Sequence, residues 1–196
     1  MQYLNQLEYP HLPYYTKVKR EDLTREQMQS NVARSGCGLC SVSMAVELLT
    51  DKTLPIEDCV KLSEGCLANY GVGTDMDVLG PVVAEKFGLC YKGADELEEA
   101  IACLRDGGAV ISRVGVPEGA DKGLFTNGAH YILLVATDGR EFCILDPSYT
   151  PEKFHTPWRE GRVDDSHAPY LYADVREVHE DTRPGRTKYH LFTRRR

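Results

Sequence analysis

The hydrophobic pattern of this chain changes its period once, about halfway along, and that change constrains the fold more than any other feature. In the first half apolar residues recur at helical spacing, as over residues 41–50, where Val42, Ala45, Val46 and Leu49 would share one face. In the second half, short apolar or alternating runs predict strands instead. Helices first and strands later indicate an α+β fold.

The helical half also carries start and stop signals. Asp75 or Thr74 is placed to cap one helix and Gly88 to close it, while Asp95 with Glu98 resembles a capping box. We therefore expect four helices, over residues 41–50, 55–65, 75–87 and 96–106. The first 30 residues are polar and aromatic and are typical of an extended arm.

The strand half is organised around a hairpin. Asp138-Gly139 predicts its turn, and the glycine-rich segment 117–129 predicts a mobile loop just before His130. The predicted strands cover residues 109–116, 130–137, 141–146, 170–175 and 188–193.

Length and charge limit the class of protein. The 196 residues correspond to a single domain, residues 1–196, and the net charge of −7 argues against a nucleic-acid partner. The first ten residues do not resemble a signal peptide, and the longest apolar run, 131–136, is too short to cross a bilayer. We expect a cytoplasmic protein that acts without a membrane partner; nothing in the sequence indicates its oligomeric state.

Cys37 is the candidate nucleophile. It lies between Gly36 and Gly38, immediately before the first predicted helix. The unpaired N–H groups and the positive end of a helix dipole favour the reactive thiolate there. A buried structural thiol beside a tight turn would leave the same pattern.

Two other interpretations of this cysteine remain open. Cys37 and Cys40 form a C-x-x-C motif, as in thiol oxidoreductases, although the polar segment 30–35 before it does not resemble a core strand. A zinc site would need two more ligands, and no second pair of suitable spacing follows. The seven cysteines are odd in number and show no disulfide framework, which favours reduced thiols. We expect no cofactor and no metal.

His130 and Asp146 lie near the open ends of the two hairpin strands. With a three-residue turn, residue 132 faces Asp146, so that His130 and Asp146 become diagonal neighbours on one face of the sheet. A two-residue turn would place them on opposite faces, so the pair requires an odd turn or a bulge. An imidazole held by a carboxylate can serve a thiol nucleophile, which completes a Cys37, His130 and Asp146 set.

The segments around these residues resemble the bacteriocin-processing, double-glycine leader peptidases and their stand-alone relatives. The resemblance rests on three motifs and extends over roughly residues 12–149. The three motifs are Asn31-Val-Ala-Arg-Ser-Gly-Cys37-Gly-Leu-Cys-Ser-Val-Ser-Met-Ala, Gly128-Ala-His130-Tyr-Ile-Leu-Leu-Val and Phe142-Cys-Ile-Leu-Asp146-Pro147. It implies a papain-like cysteine proteinase fold, in which a helical half carrying the nucleophile helix packs on a C-terminal antiparallel sheet. It also implies Cys37, rather than Cys40, as nucleophile, His130 as base and Asp146 as the residue that orients it.

The same resemblance implies an oxyanion-hole donor about six residues before the nucleophile, usually a glutamine. Asn31 holds that position here, with Gln27 and Gln29 further back and Lys17 where stand-alone relatives often carry a glutamine. Asn31 is therefore the expected donor, together with the backbone N–H of Cys37.

The function implied is a cysteine peptidase acting on a peptide or protein through a thioester intermediate. Two alternatives remain: an acyltransferase or deamidase that uses the same three residues, and a catalytically silent binding module in which Cys37 is vestigial.

Overall fold

The structure is a computed structural model that describes residues 1–16, 30–70, 73–182 and 185–195. Three residues whose positions bear on the predicted oxyanion-hole donor, Lys17, Gln27 and Gln29, lie outside the described residues.

The four predicted helices are confirmed to within about four residues at their ends. Two short helices that the hydrophobic pattern did not predict, α1 and α6, are also present, with 3-10 turns at Gln6–Glu8 and Ala68–Tyr70. The α-helices are α1 Val32–Ser35, α2 Cys37–Leu49, α3 Ile56–Gly65, α4 Met76–Phe87, α5 Leu97–Arg105 and α6 Val175–Glu180. Across the part of the chain that the structure describes, no helix combines the length and apolarity needed to cross a bilayer.

Helix capping agrees with prediction at α4 and differs at α5. Asp75 caps α4 through its side chain, and Gly88 closes that helix in the left-handed conformation at φ 74°. The N-cap of α5 is Glu96, without a side-chain hydrogen bond. The carboxylate of Asp95 instead accepts a hydrogen bond from the Lys188 backbone N–H at 3.0 Å. The Asp95 carboxylate, which the local pattern predicted as the cap of α5, therefore makes a tertiary contact instead.

The described strands form a single seven-stranded antiparallel sheet in the order β1-β7-β2-β3-β4-β6-β5. The five predicted strands are present, and β1 and β5 are additional. Because β1 falls between α4 and α5, helices and strands interleave more than the simple two-part pattern suggested. The strands are β1 Leu89–Ala94, β2 Ala109–Gly115, β3 Ala129–Thr137, β4 Glu141–Leu145, β5 Asp164–His167, β6 Tyr170–Asp174 and β7 Tyr189–Arg194.

Two apolar clusters cover the two faces of this sheet. On β3 the side chains alternate, so Tyr131 and Leu133 join the cluster that includes α2, α3 and α4, whereas Ile132 and Leu134 join the one that includes α5 and α6. Helix α2 is buried along almost its whole length because it packs between the other helices and the sheet. The mixed α+β arrangement expected from the sequence is therefore present.

The segment before His130 is anchored rather than loose. Leu124 and Phe125 are buried, and their backbone N–H groups donate to the carboxylate of Asp181 at 2.6 and 3.2 Å. The expectation of a mobile loop is wrong at these two residues, because a partner distant in sequence satisfies their backbone donors.

Candidate active site

Cys37 is the first residue of α2, directly after the short helix α1. Gly36 joins the two helices, and a Cβ at this glycine would lie 2.6 Å from the carbonyl oxygen of Val32, so only glycine fits. The chain therefore turns sharply and presents Cys37 at a helix start. At that position its backbone N–H has no partner within the helix.

The next glycine allows the neighbouring elements to approach this turn. A Cβ at Gly38 would lie 2.9 Å from Cβ of Thr74 and 3.2 Å from the ring of Tyr131. Thr74 is held in turn by the buried Tyr14 hydroxyl at 2.9 Å. Close packing at Gly38 thus sets the distance between the start of α2 and β3, the strand that carries His130.

A β-bulge sets the relative placement of His130 and Asp146. Next to the turn Thr137 pairs with Phe142, a register that, if continued, would put the two residues on opposite faces of the sheet. The register shifts between Leu134 and Ala136, and from there Leu133 pairs with Leu145. Continuing that pairing places residue 132 opposite Asp146, the register required for the pair.

The two side chains are in direct contact. His130 Nε2 lies 2.7 Å from Asp146 Oδ1, and both residues are buried. The imidazole and the Cys37 thiol also lie close enough to shift each other's pKa, and because Nε2 is engaged by Asp146, Nδ1 is the ring nitrogen left for sulfur. Burial of the imidazole works against its charged form. The charge and hydrogen bond of Asp146, with a smaller contribution from Cys37, nevertheless raise the pKa of His130 to about 9.

The same contacts act on the thiol in the opposite direction. Burial opposes its ionisation, but the hydrogen bond and charge of His130, with backbone contacts from Tyr131 and Gly38, lower the pKa of Cys37 below its ordinary value. Cys40 lies one turn further along α2 and is completely buried, and burial together with the nearby Cys37 raises the pKa of its thiol. Of the two cysteines in the C-x-x-C motif, only Cys37 is placed to form a thiolate.

A lysine that the sequence analysis did not identify completes the surroundings of Asp146. Lys153 Nζ lies 2.5 Å from Asp146 Oδ2 and 2.7 Å from Ser148 Oγ. Ser148 donates its backbone N–H to the other oxygen, Oδ1, at 2.9 Å. Despite burial, the charges of Lys153 and His130 hold the pKa of Asp146 well below its usual range. Nothing in the sequence beyond its proximity to Asp146 distinguishes Lys153.

Asn31 has a capping role in the structure. Its Oδ1 accepts a hydrogen bond from the Arg34 backbone N–H at 3.1 Å, and its Nδ2 donates to the Pro10 carbonyl at 2.9 Å. Asn31 is the N-cap of α1 and is not among the residues that line the cleft beside Cys37. Its position therefore does not favour the oxyanion role that the resemblance implied; the shorter side chain satisfies α1 instead.

Cys37 and His130 line one cleft of about 250 Å³. Its wall brings together residues from α1, β2, β3 and the segments before α4 and β7. They are Arg34, Ser35, Cys37, Gly73, Thr74, Arg113, Ala129, His130, Tyr131 and Arg186. An acyl group entering the cleft would meet the thiol and the imidazole together.

The structure bears on two alternative interpretations of the cysteines, the thiol oxidoreductase and the zinc site. All seven cysteines are free, and helix α1, rather than a strand, precedes the C-x-x-C motif. Within residues 1–16, 30–70, 73–182 and 185–195, no group of three or more His, Cys, Asp or Glu side chains is arranged to hold a metal ion.

Comparison with known proteins supports the fold. No protein-family profile matches the chain, and no curated protein sequence matches it. Among solved structures it is similar to that of a candidate C39-like peptidase from Bacillus anthracis. The TM-score is 0.55 and the sequence identity 13%, over 100% of this chain and 99% of the other. At 13% identity the similarity indicates a shared fold, and it shows nothing about the activity of this chain.

Proposed function

We propose that this protein is a papain-like cysteine peptidase with Cys37 as nucleophile, His130 as its acid–base partner and Asp146 as the residue that orients the imidazole. The observation that carries the proposal is the position of His130, which is hydrogen-bonded to Asp146 at 2.7 Å and lines one cleft together with Cys37. The likeness to the candidate C39-like peptidase supports the fold that such a site requires.

The proposed reaction follows from the charge state of the pair. The Cys37 thiolate attacks the carbonyl carbon of a peptide bond, and the carbonyl π electrons move onto oxygen to form a tetrahedral intermediate. When the intermediate collapses, the imidazolium of His130 gives its proton to the departing amine, and a thioester to Cys37 remains. Neutral His130 then takes a proton from water, the resulting hydroxide attacks the thioester, and the carboxylic acid leaves as the pair regains its proton.

The oxyanion would be bound at the start of α2. The backbone N–H of Cys37 has no helical partner, and it lies at the positive end of the α2 dipole. Asn31 is engaged in capping α1. Among the described residues we therefore assign only one donor to the oxyanion, the backbone N–H of Cys37. A hole that lacks a second donor would lower the rate by about 10²–10³.

The thiol can be tested without a known substrate. We expect iodoacetamide to alkylate Cys37 at pH 6 much faster than the exposed Cys90, because contact with His130 lowers the pKa of the Cys37 thiol and so favours its reactive thiolate. His130→Ala should slow alkylation of Cys37 toward the rate of Cys90. Peptide mass mapping separates the two sites in one sample.

Cleavage of a peptide library by wild-type protein and by Cys37→Ala then tests the reaction. Loss of all cleavage products in the variant is the expected result, and product masses distinguish transfer to water from transfer to an amine. Equal labelling of Cys37 and Cys90 at pH 6, or identical libraries after both treatments, would favour the silent binding module.

A further inference from the structure

The wall of the cleft carries positive charge in a protein whose net charge is −7. Three of its lining residues are arginines: Arg34, Arg113 and Arg186. The other titratable side chains in the wall are Cys37, His130 and Tyr131, and no Asp or Glu lines it among the described residues. Cationic character is therefore concentrated where the proposed nucleophile opens to solvent.

The three arginines reach the cleft from separate segments of the chain. Arg34 lies on α1, three residues before Cys37, and is exposed. Arg113 is on β2, paired with Tyr131 of β3. Arg186 precedes β7, and 52% of its side chain is exposed. Since tertiary structure brings them together, they are not simply a run of solvated charge.

The charges are only partly compensated within the protein. Arg186 contacts Asp75 Oδ2 at 3.4 Å, a long contact to a carboxylate that does not line the cleft. Arg34 makes no ion pair with any residue in the described part of the chain. Two guanidinium groups thus remain accessible to a ligand on the rim of the site.

We propose that this cleft selects peptides that carry a carboxylate close to the scissile bond, which Arg34 and Arg186 bind. The inference rests on the proposed function and names its substrate class. Planar guanidinium groups bind carboxylates through paired, charge-assisted hydrogen bonds. A cleft of one sign also concentrates ligands of the opposite sign, which raises their rate of association.

A different role for the arginines must be separated from this one. Positive charge near Cys37 would also stabilise its thiolate, whatever the substrate. That effect changes the rate of every electrophile by the same factor. Attraction of an anionic ligand changes only the rates of anionic electrophiles, so the ratio between a charged and a neutral reagent isolates it.

The first experiment measures alkylation of Cys37 by iodoacetate, an anion, and by iodoacetamide, its neutral analogue, at pH 7 and low salt. We expect the iodoacetate-to-iodoacetamide ratio to be higher at Cys37 than at the exposed Cys90 and to fall as salt is added. Arg34→Gln and Arg186→Gln should each lower the ratio at Cys37 roughly threefold, the factor for unit charges about 6 Å apart in water.

Lys61→Gln is the matched control. It removes one positive charge from the exposed face of α3, outside the cleft, and should leave the ratio unchanged. If the ratio at Cys37 equals that at Cys90 and neither arginine variant changes it, the proposed selection is wrong. If both arginine variants slow the two reagents equally, the arginines serve the thiolate and the proposal is likewise overturned.

The second experiment identifies the source of the carboxylate. Matched peptide sets carry Glu or Gln at each position, and each peptide has either a free or an amidated C-terminus. A preference for Glu at one position indicates a side-chain carboxylate, a preference for the free C-terminus indicates the terminal one, and Arg34→Gln should reduce either preference. Equal cleavage of all four sets overturns the inference but leaves the peptidase in place, whereas failure of Cys37 to label faster than Cys90 overturns both.

Discussion

Lys153 Nζ lies 2.5 Å from Asp146 Oδ2, while His130 Nε2 lies 2.7 Å from the other oxygen of the same carboxylate. Asp146 is completely buried, and only 10% of the Lys153 side chain is exposed. The carboxylate is therefore held between two groups that can each carry a positive charge. This arrangement keeps Asp146 ionised, which fixes its orientation toward the imidazole.

The first prediction concerns this buried pair. We expect Lys153→Met to lower the free energy of unfolding by about 3 kcal/mol at pH 7, because it removes one of the two positive charges that hold the buried Asp146 carboxylate. Asp146→Asn in the same background should recover a large part of that loss. Urea unfolding of the two single variants and the double variant gives the coupling energy directly.

Lys61→Met serves as the reference for removal of a lysine charge. Its partner Asp58 is exposed, so we expect little change in stability. Additive effects of Lys153→Met and Asp146→Asn would show that the two side chains do not interact in solution.

The second prediction is a pH dependence in Cys37→Ser, where His130 no longer has a thiol partner. Burial opposes the imidazolium, yet Asp146 raises the pKa of His130, which is about 9 in the intact protein, above the unfolded value of ~6.5. A raised folded pKa contributes stability in full below pH ~6.5, and that stability is lost as pH rises through the folded pKa. We expect the free energy of unfolding to fall by about 1.4 kcal/mol per pH unit in this window.

The wild-type protein should vary less over the same window. Contact with His130 lowers the pKa of the Cys37 thiol, and the proton that this thiol releases in the folded state offsets the proton that His130 retains. Urea unfolding of the wild-type protein and of Cys37→Ser from pH 6 to 9 measures the two pH dependences. A Cys37→Ser, His130→Gln variant that keeps the slope would assign it to other groups.

The third prediction tests the close approach at Gly38. A methyl group there would meet Thr74 and Tyr131, so Gly38→Ala should cost about 1–3 kcal/mol and slow the alkylation of Cys37. Gly65→Ala is the matched control, since it also lies in a helix but no atom lies within 4 Å of its added Cβ. If both variants label and unfold like wild type, the packing at Gly38 does not position the nucleophile.

The fourth prediction separates the two cysteines of the C-x-x-C motif. Cys40 is buried and its pKa is raised, so Cys40→Ala should leave the iodoacetamide rate at Cys37 within about twofold of wild type. Mass mapping after labelling at pH 6 provides the rate. A tenfold loss on Cys40 replacement, or a Cys37–Cys40 disulfide under mild oxidation, would favour the thiol oxidoreductase.

Local patterns in the sequence predicted most of the regular structure. The periods of α2 to α5 and of five strands, and Gly88 after α4, each depend on residues within one or two turns of one another. Helix α1 has only four residues, which is too short to show a hydrophobic period, and it was not predicted. The Asp95 cap was wrong because its acceptor binds the backbone of Lys188, a residue that local sequence cannot indicate.

The register of the hairpin shows where local information ends. From the sequence we could predict that His130 and Asp146 share a face only with an odd turn or a bulge. Next to the turn at Asp138, the strands pair in the register that would separate the two residues. The bulge between Leu134 and Ala136 restores the required alignment. Packing of both sheet faces favours it, since a one-residue slip would exchange the buried side chains of β3 between the two apolar clusters.

By itself the sequence determined an α+β fold, the placement of Cys37 at a helix start, the strand that carries His130 and the strand that ends just before Asp146, because hydrophobic period, caps and turns act over a few residues. Only the tertiary structure decided which charges meet at the site. Lys153 reaches Asp146, Asn31 caps α1, and Arg34 and Arg186 share a cleft. These contacts depend on how distant segments pack, which no local pattern encodes.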